Sequence, residues 1–167
     1  ASAYGAAEKR PGMIKVASLA SVHFQGLGQD ATLTINNVPR LKDDGTPELD
    51  SYNEQIYDQQ YALDGAELSK QNGSNWYANL LGMAINGPIK EEGYTPTGEP
   101  AVVVTYNYDP NRVDLTEPTV ISYYDYDQDY YAVSVDGNCY FIMRKDMMNS
   151  VVDGLNTLKS GGDLETE

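Results

Sequence analysis

Three aspartates repeat at alternate positions in a tyrosine-rich stretch of this chain. Asp125, Asp127 and Asp129 have the i, i+2, i+4 spacing of the first ligands of an EF-hand calcium loop. Tyr130 stands at the sixth position, where that loop needs glycine, and Asp136 stands at the twelfth in place of a bidentate glutamate. Residues two apart on a strand share one face, so we interpret these carboxylates as a solvated polar edge and predict no metal site.

The same stretch offers aromatic rings beside carboxylates. Eight of the 14 tyrosines lie between residues 101 and 143. Tyrosine has a flat apolar face with a polar tip, and carboxylates accept hydrogen bonds from sugar hydroxyls, so a carbohydrate-binding or carbohydrate-active surface is one interpretation. The candidate ligand surface comprises Tyr124, Tyr126, Asp125, Asp127 and Asp129. Strand alternation opposes this interpretation, because it divides the rings between two faces of a sheet.

Patterns that indicate catalysis are absent from the sequence. It has no nucleophile-elbow motif, no histidine pair for zinc, no phosphate-binding glycine loop and no dinucleotide fingerprint. His23 is typical of a satisfied strand residue, and Cys139 falls on a predicted central strand, where a buried thiol acts as a small hydrophobe. We therefore predict a protein that is not an enzyme and has no cofactor.

Charge and composition restrict the partners. Against 25 acidic side chains the chain has 11 basic ones, a formal charge of −14. That field repels phosphate backbones, so we predict no nucleic-acid binding. No apolar run approaches the ~20 residues that cross a bilayer. The small residues that open the chain are typical of what remains after a signal peptide or anchor is removed, or of a trimmed chain.

The elements that position these residues can be read from periodicity and turn signals. The pair Asp136-Gly137, between two β-rich runs, is a strong hairpin signal. Residues 39–53 lack periodicity and are predicted to form a long exposed loop, and the valines of 101–108 indicate a central strand buried on both faces. Strands are predicted at residues 14–24, 31–35, 55–63, 101–108, 120–126, 130–135 and 138–143.

Two helices are predicted. The first covers residues 75–82, with Ser74 or Asn75 as its N-cap and Gly82 in the left-handed position after its end. The second begins at the capping residue Asp146 and stops at 161–162. Its apolar stripe consists of Met147, Met148, Val151, Val152, Leu155 and Leu158.

The order of these elements resembles the bacterial domain-of-unknown-function 4340 family over about residues 55–160. The resemblance is carried by an aromatic helix followed by Leu-Gly-x-x-Ile-x-Gly, then strands, Tyr-Tyr-x-Val-x-x-x-Gly, a strand and a helix. These features lie at residues 76–89, 97–106, 123–127, 130–137 and 140–146. The resemblance implies a membrane-anchored protein whose soluble part faces outside the cytoplasm, and it supplies no catalytic residues. The loop at 39–53 and the segment 71–74 depart from the family's pattern.

Together these observations predict one α+β domain at residues 13–160, between a flexible lead-in at 1–12 and an acidic tail at 161–167. Its sheet is mostly antiparallel with a C-terminal four-strand meander, and the last of two helices packs on it. We predict an extracytoplasmic binding or scaffold module of a bacterial envelope protein. We expect its partner to be another envelope protein or a cell-surface polymer. We expect contact with the membrane only through an N-terminal anchor that has been removed from this chain.

Overall fold

The computed structural model describes residues 14–83 and 85–164. The predicted lead-in and the end of the predicted tail, 165–167, lie outside these residues. A 3-10 turn (Val16–Ser18) precedes nine strands and two helices. In chain order these are β1 (Leu19–Gly26), β2 (Gln29–Pro39), β3 (Tyr57–Leu63), β4 (Ala66–Leu68), α1 (Lys70–Leu81), β5 (Gly87–Pro88), β6 (Val102–Tyr108), β7 (Thr119–Asp125), β8 (Tyr130–Val135), β9 (Asn138–Arg144) and α2 (Lys145–Lys159).

The nine strands form one antiparallel sheet in the order β4-β3-β2-β1-β6-β7-β8-β9-β5. The predicted α+β class, with a mostly antiparallel sheet and two helices, is therefore confirmed. The sheet is much larger than the predicted four-strand meander, which is the run β6 to β9 inside it. β1 extends the meander on one side and β5 on the other. The predicted central position of β6 is confirmed, because it is the fifth of nine strands.

Tight turns set the register of the neighbouring strands. Asp136 and Gly137 both have positive φ, 51° and 89°, as a two-residue type I′ hairpin requires, so this predicted turn is confirmed. Leu27-Gly28 and Asp64-Gly65 join their hairpins in the same conformation. Gly26 has a steric role, because a Cβ atom there would lie 2.1 Å from the carbonyl oxygen of Ala101.

Alternation gives the sheet one closed face and one open face. On β6, Val102, Val104 and Tyr106 are buried, whereas Val103 and the residues alternating with it are half-buried. The predicted burial of this strand on both faces is therefore wrong. Only one face carries the helices, and the other bears mostly polar side chains.

Both helices pack on the closed face and contact one another. The Trp76 ring of α1 meets Phe24 of β1 edge to face at 6.4 Å, and its Nε1 donates to the Val151 carbonyl of α2 at 3.1 Å. Gly73 and Gly154 allow close approach, because a Cβ atom at either position would press on Tyr61 or Trp76. Among the described residues, no helix combines the length and the apolarity that crossing a membrane requires.

The predicted helix caps are wrong. α1 begins at Lys70, and its N-cap is Ser69, whose side chain accepts from the Asn72 amide at 3.0 Å. Gly82 has a right-handed conformation, with φ −74°. Arg144 is the N-cap of α2. Asp146 lies in the first turn, where a carboxylate interacts favourably with the helix dipole, and it pairs with Arg144.

Two predicted segments near the N-terminus also differ from the structure. Residues 14–18 are not a strand, since the chain turns through Val16–Ser18 before β1 begins at Leu19. Residues 39–53 are not irregular throughout, because isolated bridges join Leu41 to Pro47 and Leu49 to Gln55.

Candidate functional site

Strand alternation divides the tyrosines of the meander between the two faces, as the sequence predicts. Tyr123 and Tyr131 enter the core, where their rings meet edge to face at 6.2 Å. Burial raises the pKa of Tyr123 well above its ordinary value. Tyr124 lies on the open face and is half-buried. Of the two predicted tyrosines, Tyr124 therefore belongs to the open face of the sheet, and Tyr126 follows the end of β7.

The three candidate aspartates form separate contacts. One carboxylate oxygen of Asp127 accepts from the amides of Asp129 and Tyr130, at 2.9 and 2.8 Å, and so closes the β7–β8 turn. Asp125 pairs with Lys145. Over residues 14–83 and 85–164, no three His, Cys, Asp or Glu side chains converge in a way that could hold a metal ion.

Residues 89–100, which we call the strap, cross the open face of the meander between β5 and β6. The Tyr126 hydroxyl donates to Glu91 of the strap at 2.5 Å, and the ring of Tyr94 meets that of Tyr126 at 5.4 Å. The strap returns to the sheet through the Ala101 amide, which donates to the Tyr123 carbonyl at 2.8 Å. Tyr126 therefore anchors the strap.

A cleft of about 410 Å³, the strap cleft, lies between the strap and residues of β7, β8 and β9. This volume falls within the usual range for small-ligand sites, roughly 300–1,000 Å³. Its walls combine two rings, a proline, a hydroxyl, an amide and a thiol. They include Tyr94, Pro96, Tyr124, Ser134, Asn138 and Cys139.

Ser134 and Cys139 are cross-strand partners at the floor of the strap cleft. Ser134 is only 4% exposed, and its hydroxyl bonds to no other group in the part of the chain that the structure describes. Among the described residues, the fully buried side-chain atoms without a partner are Asn75 Nδ2 and the Tyr123 hydroxyl oxygen. The Ser134 hydroxyl therefore keeps access to the strap cleft, where it can donate to or accept from a ligand. Cys139 is half-buried, which corrects the prediction of a core thiol, and burial raises the pKa of its thiol.

The electrostatics of the strap cleft differ from those of the whole chain. None of its nine described lining residues is charged, although the chain carries −14. Glu91 of the strap has its pKa lowered by the hydrogen bond from Tyr126. The same bond is the main cause that raises the pKa of Tyr126 to about 12. The anchor is thus a bond between a carboxylate and a neutral phenol at neutral pH.

A larger groove, about 680 Å³, lies at the start of α2, but both of its cationic residues are already paired. Arg144 bonds to Asp146, and Lys145 bonds to Asp125. A ligand would have to displace these partners. The unpaired hydroxyl of the strap cleft requires no such exchange, so we take the strap cleft as the candidate site.

Of the candidate residues predicted from the sequence, only Tyr124 lines the strap cleft, and Tyr126 lies at the strap anchor. Tyr94 and Pro96 lie in a stretch without periodicity, so no pattern connects them with the meander. The pairing of Ser134 and Cys139 was within reach, because a hairpin turn at Asp136-Gly137 places these residues opposite one another. His23 is in a strand as predicted, and its Nε2 lies 2.6 Å from Asp30.

Comparison of this chain with protein-family models, curated proteins and solved structures finds no match. The resemblance to the domain-of-unknown-function 4340 family stays a prediction.

Proposed function

We propose that this chain is an extracytoplasmic, non-enzymatic binding module of a bacterial envelope protein, and that the strap cleft binds a neutral segment of a cell-surface glycan. The observation that carries the proposal is the uncharged lining of the strap cleft, where the rings of Tyr94 and Tyr124 accompany the Ser134 hydroxyl. The placement outside the cytoplasm rests on the family resemblance.

Sugars match the chemistry of the cleft walls. A sugar ring presents an apolar C–H face to an aromatic ring and hydroxyls to the groups around it. The strap cleft offers the rings of Tyr94 and Tyr124, with the Ser134 hydroxyl and the Asn138 amide as hydrogen-bonding groups. Hydroxyl and amide groups both donate and accept, so they suit a ligand whose hydroxyls do the same.

The charge of the protein favours a neutral ligand over an anionic one. An anionic sugar would approach a chain of charge −14 and enter a cleft whose lining carries no cation. Glu91 at the strap anchor and Asp125 at the end of β7 add negative charge to the surroundings. A uronic acid or phosphorylated sugar is therefore disfavoured.

The lining of the strap cleft also supports binding over catalysis. Glycoside hydrolysis uses two carboxyl groups across the scissile bond, and none of the lining residues supplies one. The Cys139 thiol has a raised pKa, which lowers the thiolate fraction that nucleophilic attack requires. These features leave recognition as the role that the cleft serves best.

Calorimetric titration with a panel of neutral oligosaccharides tests the proposal. At least one gluco-, manno- or N-acetylhexosamine oligomer should bind, and Tyr124→Ala should weaken that binding roughly tenfold, which is about 1.4 kcal/mol. Tyr130→Ala is the matched control, because Tyr130 is a half-buried tyrosine that lines the groove at α2 instead.

Cys139 provides an independent readout of where the sugar binds. It is the single cysteine of the chain and lines the strap cleft, so a bound sugar should slow its alkylation by iodoacetamide. The proposal is wrong if no neutral oligomer binds, if bound sugar leaves the alkylation rate unchanged, or if the two tyrosine variants lose affinity equally.

A further inference from the structure

The segment between β2 and β3, residues 40–56, is an ordered projection that we call the arm. Its backbone closes a ring of three hydrogen bonds. The Arg40 amide donates to Ile56, the Ile56 amide donates to Glu48, and the Glu48 amide donates to Arg40, at 2.8, 2.9 and 2.9 Å. Two small hairpins leave this ring, with tips at 43–45 and 51–53.

Side chains reinforce the base of the arm. The Gln55 amide nitrogen lies 2.8, 3.1 and 2.8 Å from the carbonyl oxygens of Arg40, Glu48 and Ile56, and so occupies the centre of the ring. Nε and Nη2 of the Arg40 guanidinium donate to Asp58 at the start of β3. This bond is the main cause that lowers the pKa of Asp58, and it ties the arm to the sheet.

The arm presents large apolar side chains to solvent. Leu41 pairs with Pro47 across the first hairpin, and Leu49 follows Pro47 by two positions, so alternation places the three on one face. Leu41 is 56% exposed, Leu49 is 45% exposed, and Tyr52 at the second tip is 84% exposed. Exposed apolar groups that are grouped on a rigid projection indicate a contact surface.

The charges of the arm define what can contact it. It carries five carboxylates and two basic residues. Arg40 is occupied by Asp58 and Glu48, so Lys42 is the remaining basic residue. A partner that covers the leucines must also meet a strongly acidic border.

We infer that the arm is a docking site for a protein partner that has an apolar pocket bordered by lysine and arginine. The apolar face enters the pocket, and the carboxylates meet the basic border, which speeds encounter and excludes acidic partners. Because the ring is already ordered, little conformational entropy is lost on binding. An anionic membrane or a nucleic acid would repel the same carboxylates.

In-cell photo-crosslinking from position 52 tests the inference. A photoreactive phenylalanine replaces Tyr52 in the full-length protein in the cells that produce it, and adducts are mapped by mass spectrometry. We expect one discrete protein adduct whose attachment point lies among lysine and arginine residues. In the purified pair, a rise from 50 to 300 mM salt should weaken affinity at least threefold.

The matched control uses a leucine outside the arm. Leu49→Gln should reduce the yield of the adduct at least fivefold, whereas Leu115→Gln should leave it unchanged, since the two leucines are 45% and 44% exposed. Amide exchange of Arg40, Glu48 and Ile56 verifies that the arm of the Leu49 variant stays ordered. The inference fails if no discrete adduct forms, if the adduct is a second copy of this chain or has an acidic attachment surface, or if both substitutions act equally.

Discussion

Substituting Gly73 of α1 tests the packing that holds the helices on the sheet. A Cβ atom at this position would lie 2.2, 2.4 and 2.6 Å from Cγ, Cδ2 and Cβ of Tyr61, which is buried on β3. These atoms are the root of that side chain and cannot swing aside without moving the strand. Gly154 of α2 is the matched control, because its Cβ atom would lie 3.0 Å from the edge of the Trp76 ring.

The expected magnitudes follow from two opposing effects. Alanine in place of a helical glycine gains about 1 kcal/mol in both variants. Overpacking typically costs about 1–3 kcal/mol, and the contacts at Gly73 place it at the upper end. We therefore expect Gly73→Ala to lower the free energy of unfolding by about 2 kcal/mol, and Gly154→Ala to change it by less than about 1 kcal/mol.

Urea unfolding followed by Trp76 fluorescence measures both variants, since this single tryptophan is fully buried in the native state. The Gly73 variant should also melt about 4–8 °C lower than the parent, given the usual relation for a domain of this size. Equal stability of Gly73→Ala and Gly154→Ala would refute the tight packing of Gly73 against Tyr61.

Other outcomes concern the strap, the cleft and the arm. Glu91→Gln should move the pKa of Tyr126 from about 12 toward 10, as measured by carbon NMR of the phenol, because the carboxylate acceptor is lost. In the parent protein, the lowered pKa of Glu91 and the raised pKa of Tyr126 set the pH range in which their hydrogen bond stabilises the strap. The contribution of the Glu91–Tyr126 hydrogen bond to the free energy of unfolding is complete between about pH 4.5 and 10. It is lost as the pH falls through the lowered pKa of Glu91 or rises through about 12. Alkylation of Cys139 at pH 8 should be slower than that of a free cysteine peptide, and the difference should narrow above pH 9. Gln55→Ala should speed hydrogen exchange of the three ring amides of the arm roughly tenfold, while the amides of β8 keep the parent rate.

The parts of the fold that the sequence predicts are those whose causes are local. Asp136-Gly137 determines a hairpin because both residues tolerate positive φ, and alternation then assigns each neighbouring side chain to a face. The apolar stripe of α2 likewise predicts its buried residues, among them Met148, Val151 and Leu155. In these elements, short-range preference and tertiary packing agree.

The errors arise where several local solutions compete. Ser69 and Ser74 can both cap a helix, and the structure uses Ser69, so that α1 can bring Gly73 against Tyr61. A local capping rule does not include that contact. The three-residue strand β4 is too short for periodicity, and it exists because the turn at Asp64-Gly65 returns the chain along β3.

The arm and the strap show the limit of sequence reasoning most clearly. Both consist of segments rich in turn-forming residues, which predict loops. The order of the arm depends on one glutamine amide between three carbonyl groups, and that of the strap depends on Tyr126 meeting Glu91 and Tyr94 across the sheet. The strap contact joins residues 35 apart in sequence. The contacts of Gln55 are closer in sequence, but they run from a side chain to backbone carbonyls, so neither set leaves a periodic pattern.

The position of the strap cleft follows from the way this domain uses its two helices. Both α1 and α2 cover the same face of the sheet, so the tyrosines of the meander that face them, Tyr123 and Tyr131 among them, are buried in the core. The alternate side chains of the meander remain on the open face, where Tyr124 lies beneath the strap instead of a helix. An irregular strap cannot seal a sheet as a helix does, which leaves the Ser134 hydroxyl open to the strap cleft. Strand alternation opposes a continuous aromatic surface, because it divides the tyrosines between the two faces of the sheet. The same alternation places Tyr124 in the strap cleft together with the Ser134 hydroxyl.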